Sequence, residues 1–279
     1  MNKLDEPIDP KQLETSQMKT SNVARDDFGI DIPVESVPLP SRGVVYPSNS
    51  SLFDKETLDI KPMTAKEEDI LMSRAYIKNG TVITKLLESC LVDKTIDVDS
   101  LIQGDRNALM LALRITGYGA EYNIEMPCPK CGNTTEAEFN LSEMPIKRLD
   151  VEPTLKGENA FEVQLPVTKK TVLIRFLNGY DEKEQTIIDE RKRKSGIMTN
   201  STVTDRLSRS IISVGGVTDK NKIAFFVKNI PVRDSLALRK FLDNQEPGVE
   251  MKGHMTCKYC YEESEVEIPI TSQFFWPDS

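Results

Sequence analysis

Two short cysteine pairs constrain this chain more than any other feature. Cys128-Pro-Lys-Cys131 and Cys257-Lys-Tyr-Cys260 repeat one spacing, with 125 residues between Cys131 and Cys257. Two residues between thiolates let both sulfurs reach one ion about 2.3 Å away, and two such pairs supply the ligands of a tetrahedral zinc site. One shared structural Zn2+ on Cys128, Cys131, Cys257 and Cys260 would tie the middle of the chain to its end. A four-thiolate site has no open position for water or substrate, so its expected role is architecture and not catalysis. A redox pair of the thioredoxin kind should follow a strand and open a helix. Here Gly132-Asn133-Thr134 leads into a strand-like run instead. Two half-sites in an oligomer remain the other arrangement that so long a separation allows.

The sequence around each pair alternates as strands do. Tyr122, Ile124 and Met126 lead into the first pair and Ala137, Phe139 and Leu141 lead out; Val266, Ile268 and Ile270 follow the second. Each pair is therefore expected at the tip of a hairpin. Upstream, Thr64-Ala-Lys-Glu67 reads as a capping box opening a helix that stops near Asn79-Gly80. A second helix covers Val82 to Leu91, with Val82, Leu86, Leu87, Cys90 and Leu91 inside. Asp99 or Ser100 is expected to cap a short turn, and Asp105 to Thr116 is a third helix ending at Gly117. Further on, Phe161, Val163 and Leu165 face Val172, Ile174 and Phe176 in a metal-free hairpin. Helices are expected from Asp181 to Gly196, from Thr204 to Val214, and from Pro231 to Phe241 with Asp234 in the first turn. The fold class is α+β: a helical N-terminal half plus a split four-cysteine zinc ribbon interrupted by an α+β insert. The divisions expected are a flexible arm (1–35), a mainly helical region (36–122), the first knuckle hairpin (123–145), the insert (146–250), and the second knuckle hairpin with an aromatic tail (251–279).

Composition excludes several function classes. The net charge is −8 over 279 residues, and both knuckles are rich in glutamate, which opposes phosphate contact. The one basic run, Arg191-Lys192-Arg193-Lys194, falls near a helix C-terminus, where cations are favoured anyway. No run approaches the ~18 apolar residues of a membrane span. Five cysteines, four of them in metal spacing, suit a reducing compartment better than a disulfide framework. His254 is the single histidine. It is expected as a neighbour of the metal site, with replacement of one thiolate as the alternative. No Gly-x-Ser-x-Gly, His-Glu-x-x-His or phosphate-cradling glycine run is present, and no acid/base pair stands out. Cys90 reads as buried filler.

Several phrases in order resemble one family. They are Leu39-Pro-Ser-Arg-Gly-Val-Val-Tyr-Pro47, Lys61-Pro-Met-Thr-Ala-Lys-Glu-Glu-Asp-Ile-Leu71, Gly104-Asp-Arg106, Arg114-Ile-Thr-Gly-Tyr-Gly119 and the first cysteine knuckle. Together they resemble the baseplate hub and hub-assembly proteins of contractile-tailed, T-even-like bacteriophages. The likeness is strongest over residues 36 to 145 and looser through Asp234-Ser-Leu-Ala-Leu-Arg-Lys-Phe241. It implies a non-enzymatic structural or assembly factor of the tail baseplate hub. The implied partners are other hub proteins, met in the host cytoplasm during assembly or in the virion. A zinc-ribbon nucleic-acid-binding accessory protein is the alternative. Two segments of apolar or aromatic character outside clear elements are the expected partner surfaces: Leu39, Val44, Val45 and Tyr46, and Phe274, Phe275 and Trp276. For the second, folding back onto the core is the equal alternative.

Overall fold

A computed structural model describes residues 24–25, 31–195, 202–270 and 274–275. The chain begins with a two-residue ladder of β1 (Ala24–Arg25) and β2 (Asp31–Ile32). These fall within the expected arm, most of which lies outside the described residues. β3 (Glu35–Pro38) and β4 (Thr57–Ile60) then pair antiparallel, Val37 against Leu58. The loop between them is packed inside the molecule: Leu39, Val44, Val45, Tyr46 and Leu52 are all buried.

Next comes α1 (Ala65–Met72), opened by the expected box: the Glu67 carboxylate accepts from the Thr64 amide at 2.9 Å. Glu67 does more than cap. It is buried and also accepts from the Ser89 hydroxyl at 2.5 Å, which ties α1 to α3 (Val82–Cys90). Burial works against its charge, but the Ser89 and Thr64 bonds outweigh this and hold the carboxyl below its ordinary range. The helix expected to run unbroken to Asn79 divides at Ser73, whose extended backbone separates α1 from α2 (Arg74–Lys78). The short turn at Val98–Ser100 is capped by Asp97, whose carboxylate accepts from the Asp99 amide, and not by Asp99 or Ser100. Asp99 points inward to Thr84 and Arg106.

The long helix α4 (Gln103–Tyr118) ends at Gly119, two residues beyond the expected Gly117. Gly119 has φ 84° and ψ 172°, a positive-φ extended conformation essentially confined to glycine. The Arg114 side chain is fully buried and donates to the carbonyls of Gly119 (2.6 Å) and Glu121 (2.8 Å), which fixes this exit. From there β5 (Glu121–Pro127) and β6 (Thr134–Asn140) form the first hairpin, with buried residues alternating as read from the sequence.

After the short β7 (Ile146–Lys147) the expected metal-free hairpin appears as β8 (Phe161–Gln164) and β9 (Thr171–Ile174). Helix α5 (Gly179–Lys194) packs on the N-terminal half through Arg106, which lies 3.3 Å from Glu182. The segment expected as one helix from Thr204 to Val214 is in fact α6 (Thr202–Ser210) followed by β10 (Ile211–Val214). The Ile-Ile-Ser-Val run is β-branched, and the open edge of β9 gives it a ladder, so the sheet order is β10-β9-β8. Helix α7 (Lys220–Asn229), capped by Asp219, was not expected. It is followed by α8 (Val232–Gln245), where Asp234 accepts from the amides of Val167 (2.7 Å) and Thr168 (3.0 Å) in the β8–β9 turn. β11 (Gly248–Val249) then pairs with β7, and β12 (Lys252–Thr256) and β13 (Glu263–Glu267) close the chain as the second hairpin.

One hydrophobic cluster runs through all of this, from Val37 through α3 and α4 and both cysteine hairpins to Phe274. Gly104 sits where α4 meets the chain before β11: a Cβ there would lie 1.8 Å from the Pro247 carbonyl oxygen. Only glycine permits that approach.

Candidate metal centre

Each cysteine pair occupies the tip of its hairpin, and the two tips have the same internal construction. In the first, the Gly132 amide donates to the Cys128 carbonyl at 2.9 Å, and the Cys128 amide donates to that of Asn133 at 2.9 Å. In the second, Tyr261 donates to Cys257 at 2.9 Å and Cys257 to Glu262 at 3.1 Å. The residue after the second cysteine is left-handed in both, Gly132 at φ 74° and Tyr261 at φ 59°. Backbone amides also point at the leading sulfurs, Lys130 to Cys128 Sγ and Tyr259 to Cys257 Sγ, each at 3.4 Å.

The hairpins stack so that the tips meet. Gly253 of β12 lies under the ring of Phe139 of β6, with room for no side chain: a Cβ would come within 2.6 Å of the ring. The Tyr122 hydroxyl donates to the Pro269 carbonyl at 3.0 Å, and Met255, Val266 and Ile268 join Ile124, Ala137 and Phe139 in the core. This brings the sulfurs together crosswise. Cys128 Sγ is 3.8 Å from Cys260 Sγ, and Cys131 Sγ is 3.6 Å from Cys257 Sγ. All four lie within 4.8 Å of one another.

These separations fit a single ion. A tetrahedron with metal–sulfur bonds of about 2.3 Å has edges of about 3.8 Å. They do not fit a disulfide, whose sulfurs stand about 2.05 Å apart. Two of the thiols, Cys257 and Cys260, are shifted in opposite directions. The amides of Cys260 and Tyr259 lower Cys257 to about 6. Cys260 goes up to about 12: the Glu262 amide favours its thiolate, but burial and the neighbouring sulfurs prevail. One thiolate forms readily and the next forms against repulsion, a conflict that a dication at the centre removes. The four cysteines thus form a site that could hold a metal ion, and Cys128, Cys131, Cys257 and Cys260 are the residues that would ligate it. His254 is outside this group: exposed on β12, its Nδ1 faces Glu263 at 3.8 Å.

The expected partner residues are placed differently. Leu39, Val44, Val45 and Tyr46 are buried at 2–8% exposure, and Phe274 and Phe275 at 0% and 4%. Phe274 packs edge-on against Tyr122, ring centres 5.5 Å apart. These six side chains are core contacts within the chain, so the folding-back alternative describes Phe274 and Phe275. Trp276 lies outside the described residues.

Sequence reasoning missed what the Leu39–Pro47 phrase does. Asp105 is fully buried at the start of α4, and its carboxylate accepts from the Ser41 amide (2.9 Å), the Ser41 hydroxyl (2.5 Å) and the Tyr46 hydroxyl (2.5 Å). Beside it Arg106, also buried, donates to the Val98 carbonyl at 3.0 Å and lies 3.7 Å from Asp99. The signal was present as the phrases Pro-Ser-Arg-Gly and Gly-Asp-Arg, but nothing local says that they meet.

Most of the deeply buried polar groups, Asp105, Arg106, Thr84 and Asp234 among them, are bonded to one another and to backbone. Residues 45–276 match the sequence pattern of the family described as T4 bacteriophage base plate protein, and the chain belongs to that family. No curated protein and no solved structure matches it. Membership supports a structural role in a phage baseplate, with other phage proteins as partners. Among the described residues no helix is long and apolar enough to cross a membrane.

Proposed function

We propose that this protein is a non-enzymatic structural or assembly factor of the baseplate hub, docking on other hub proteins as a rigid body held by one structural zinc. The family match over most of the chain carries the baseplate part of this reading. The convergence of four sulfurs from residues 128–131 and 257–260 supports the zinc clasp. A closed site of this kind holds structure and supplies no reactive position. The hub role itself extends the resemblance carried by Leu39–Pro47, Gly104–Arg106 and Arg114–Gly119. The place of action would be the host cytoplasm during assembly, with the virion baseplate as the destination. A nucleic-acid-binding role is disfavoured by the glutamates around both knuckles, which would repel a phosphate backbone.

The test is to assemble tails without the protein. Hub-less or arrested baseplates by electron microscopy, rescued by the wild-type chain, support the proposal; normal hubs in its absence end it.

A further inference from the structure

The four clustered sulfurs differ in how far solvent reaches them. Cys131 is exposed and Cys260 half-buried, whereas Cys128 and Cys257 are buried at 2% and 0% exposure. Each close contact across the tips therefore joins one accessible sulfur to one sheltered sulfur: Cys131 to Cys257 at 3.6 Å, and Cys260 to Cys128 at 3.8 Å. A reagent from solvent meets the first member of each pair, and the second stands within reach behind it. An accessible thiol with a neighbouring resolving thiol is the arrangement that oxidants act on.

Closing either contact into a disulfide requires the sulfurs to approach by about 1.5–2 Å. The hairpins are already stacked beneath them. The Lys258 amide donates to the Thr135 hydroxyl at 3.4 Å, and further from the tips Gly253 packs under the Phe139 ring. A bond within one tip meets more resistance. Cys128 and Cys131 would have to close a ring inside a turn whose backbone is held by two hydrogen bonds, and the turn at Cys257 and Cys260 is held in the same way.

We propose that the cluster is a site of thiol oxidation, at which a peroxide converts the metal clasp into two crossed disulfides, Cys131–Cys257 and Cys128–Cys260. The first step falls on Cys131. Its thiolate attacks the peroxide, the O–O bond breaks, hydroxide leaves, and a sulfenic acid remains. The Cys257 thiolate then attacks that sulfur; the S–S bond forms and the S–O bond breaks, releasing a second hydroxide. Two thiolates have lost two electrons and one peroxide has gained them. Cys128 and Cys260 still ligate the ion at this stage. The new bond joins the tips covalently, so the second pair stays in reach when the metal leaves, and a second peroxide closes it by the same steps. The product is a permanent form of the clasp, closed across the 125 residues between Cys131 and Cys257. It suits a chain assembled in a reducing cytoplasm and carried out of it in a virion. The inference rests on the metal-clasped baseplate reading above and adds to it a covalent fate for the clasp.

The experiment treats the full-length wild-type protein, its metal content measured beforehand, with hydrogen peroxide in excess. Released zinc is read with a colorimetric chelator, and linkages by mass spectrometry of a digest made without reductant. The expected result is one zinc released per chain and a mass lower by four hydrogens than that of the reduced, metal-free chain. Peptides should be linked as Cys131–Cys257 and Cys128–Cys260, with Cys90 left as a free thiol. On a denaturing gel without reductant the oxidised chain should run ahead of the reduced one, because a long covalent loop compacts the unfolded chain. A bond within a tip closes only a four-residue ring and would leave the mobility unchanged. Because wild type is used throughout, no variant's folding enters the result. Linkage within each tip, sulfinic or sulfonic acids in place of disulfides, disulfides between chains, or zinc retained under peroxide would each overturn the proposal while leaving the clasp intact as a reading. Protein that carries no metal at the start would end both.

Discussion

The Tyr46 hydroxyl donates to Asp105 Oδ2 at 2.5 Å while accepting from the Ile102 amide at 3.1 Å. One phenol thereby joins the loop after β3 to the first turn of α4, both ends inside the core. Burial, and then the Asp105 charge beside it, pushes the Tyr46 hydroxyl well above its usual range, so it stays protonated and donating. Tyr46→Phe leaves a buried carboxylate and a buried amide one partner short. The expected cost is about 1–3 kcal/mol in urea unfolding, with no change in metal content.

Gly104→Ala should be far more damaging than its size suggests. The added methyl would have to displace the Pro247 carbonyl from 1.8 Å, moving backbone and not a side-chain tip. Overpacking of this kind costs about 3 kcal/mol or more. Gly119→Ala meets nothing within 4 Å and should lose about 1–3 kcal/mol through its φ 84°, ψ 172°, a conformation essentially confined to glycine. Thermal unfolding of the two variants side by side checks the order.

Removal of the metal should open both tips. Apparent zinc affinities of roughly 10–16 kcal/mol rival a domain's whole stability of roughly 5–15 kcal/mol. A chelator is expected to release one zinc per chain and expose four thiols to a colorimetric reagent. Cys90, buried and pushed up to about 12 by that burial, should react only after full unfolding. Native mass spectrometry and thiol counting read both steps; five thiols appearing together on chelation would contradict separate layers of protection.

Tyr261→Gly should stabilise the metal-loaded protein by up to about 1 kcal/mol, since glycine adopts φ 59° without the clash that a side chain meets. Chemical denaturation at fixed zinc concentration measures this.

Acid should weaken the contact between the β4 region and the loop after α3. Lys55, first, and then the Thr95 hydroxyl and amide hold the Asp93 carboxyl down at about 2. A depressed carboxyl stabilises the fold above its unfolded value near 4 and loses that contribution as pH falls towards 2. The difference in melting temperature between wild type and Asp93→Asn should therefore be constant above about pH 5, shrink as pH falls, and be lost only below about pH 2.

Much of the four-cysteine cluster is legible because it depends on short spacings: two Cys-x-x-Cys tips, alternation on either side, a glycine after Cys131. The Thr64–Glu67 box and the Asp234 start of α8 were legible for the same reason. The segment from Leu39 to Pro47 was misread. It lacks periodicity, and its burial is decided by Asp105, 64 residues beyond Ser41. The β10 run reads as helix in the sequence because the edge of β9 that pairs with it lies elsewhere in the chain. Helix α7 was passed over, since Lys220–Asn229 mixes lysines with only two buried apolar residues, Ile223 and Val227.

The crosswise sulfur contacts carry an implication for synthesis. Cys128 stands against Cys260 and Cys131 against Cys257, so neither hairpin can finish its own tip. A growing polypeptide would hold an incomplete half-site at Cys128 and Cys131 until Cys257 and Cys260 have left the ribosome. Products terminated before Cys257 would keep that half open, and only molecules that extend through Cys260 would be able to close it.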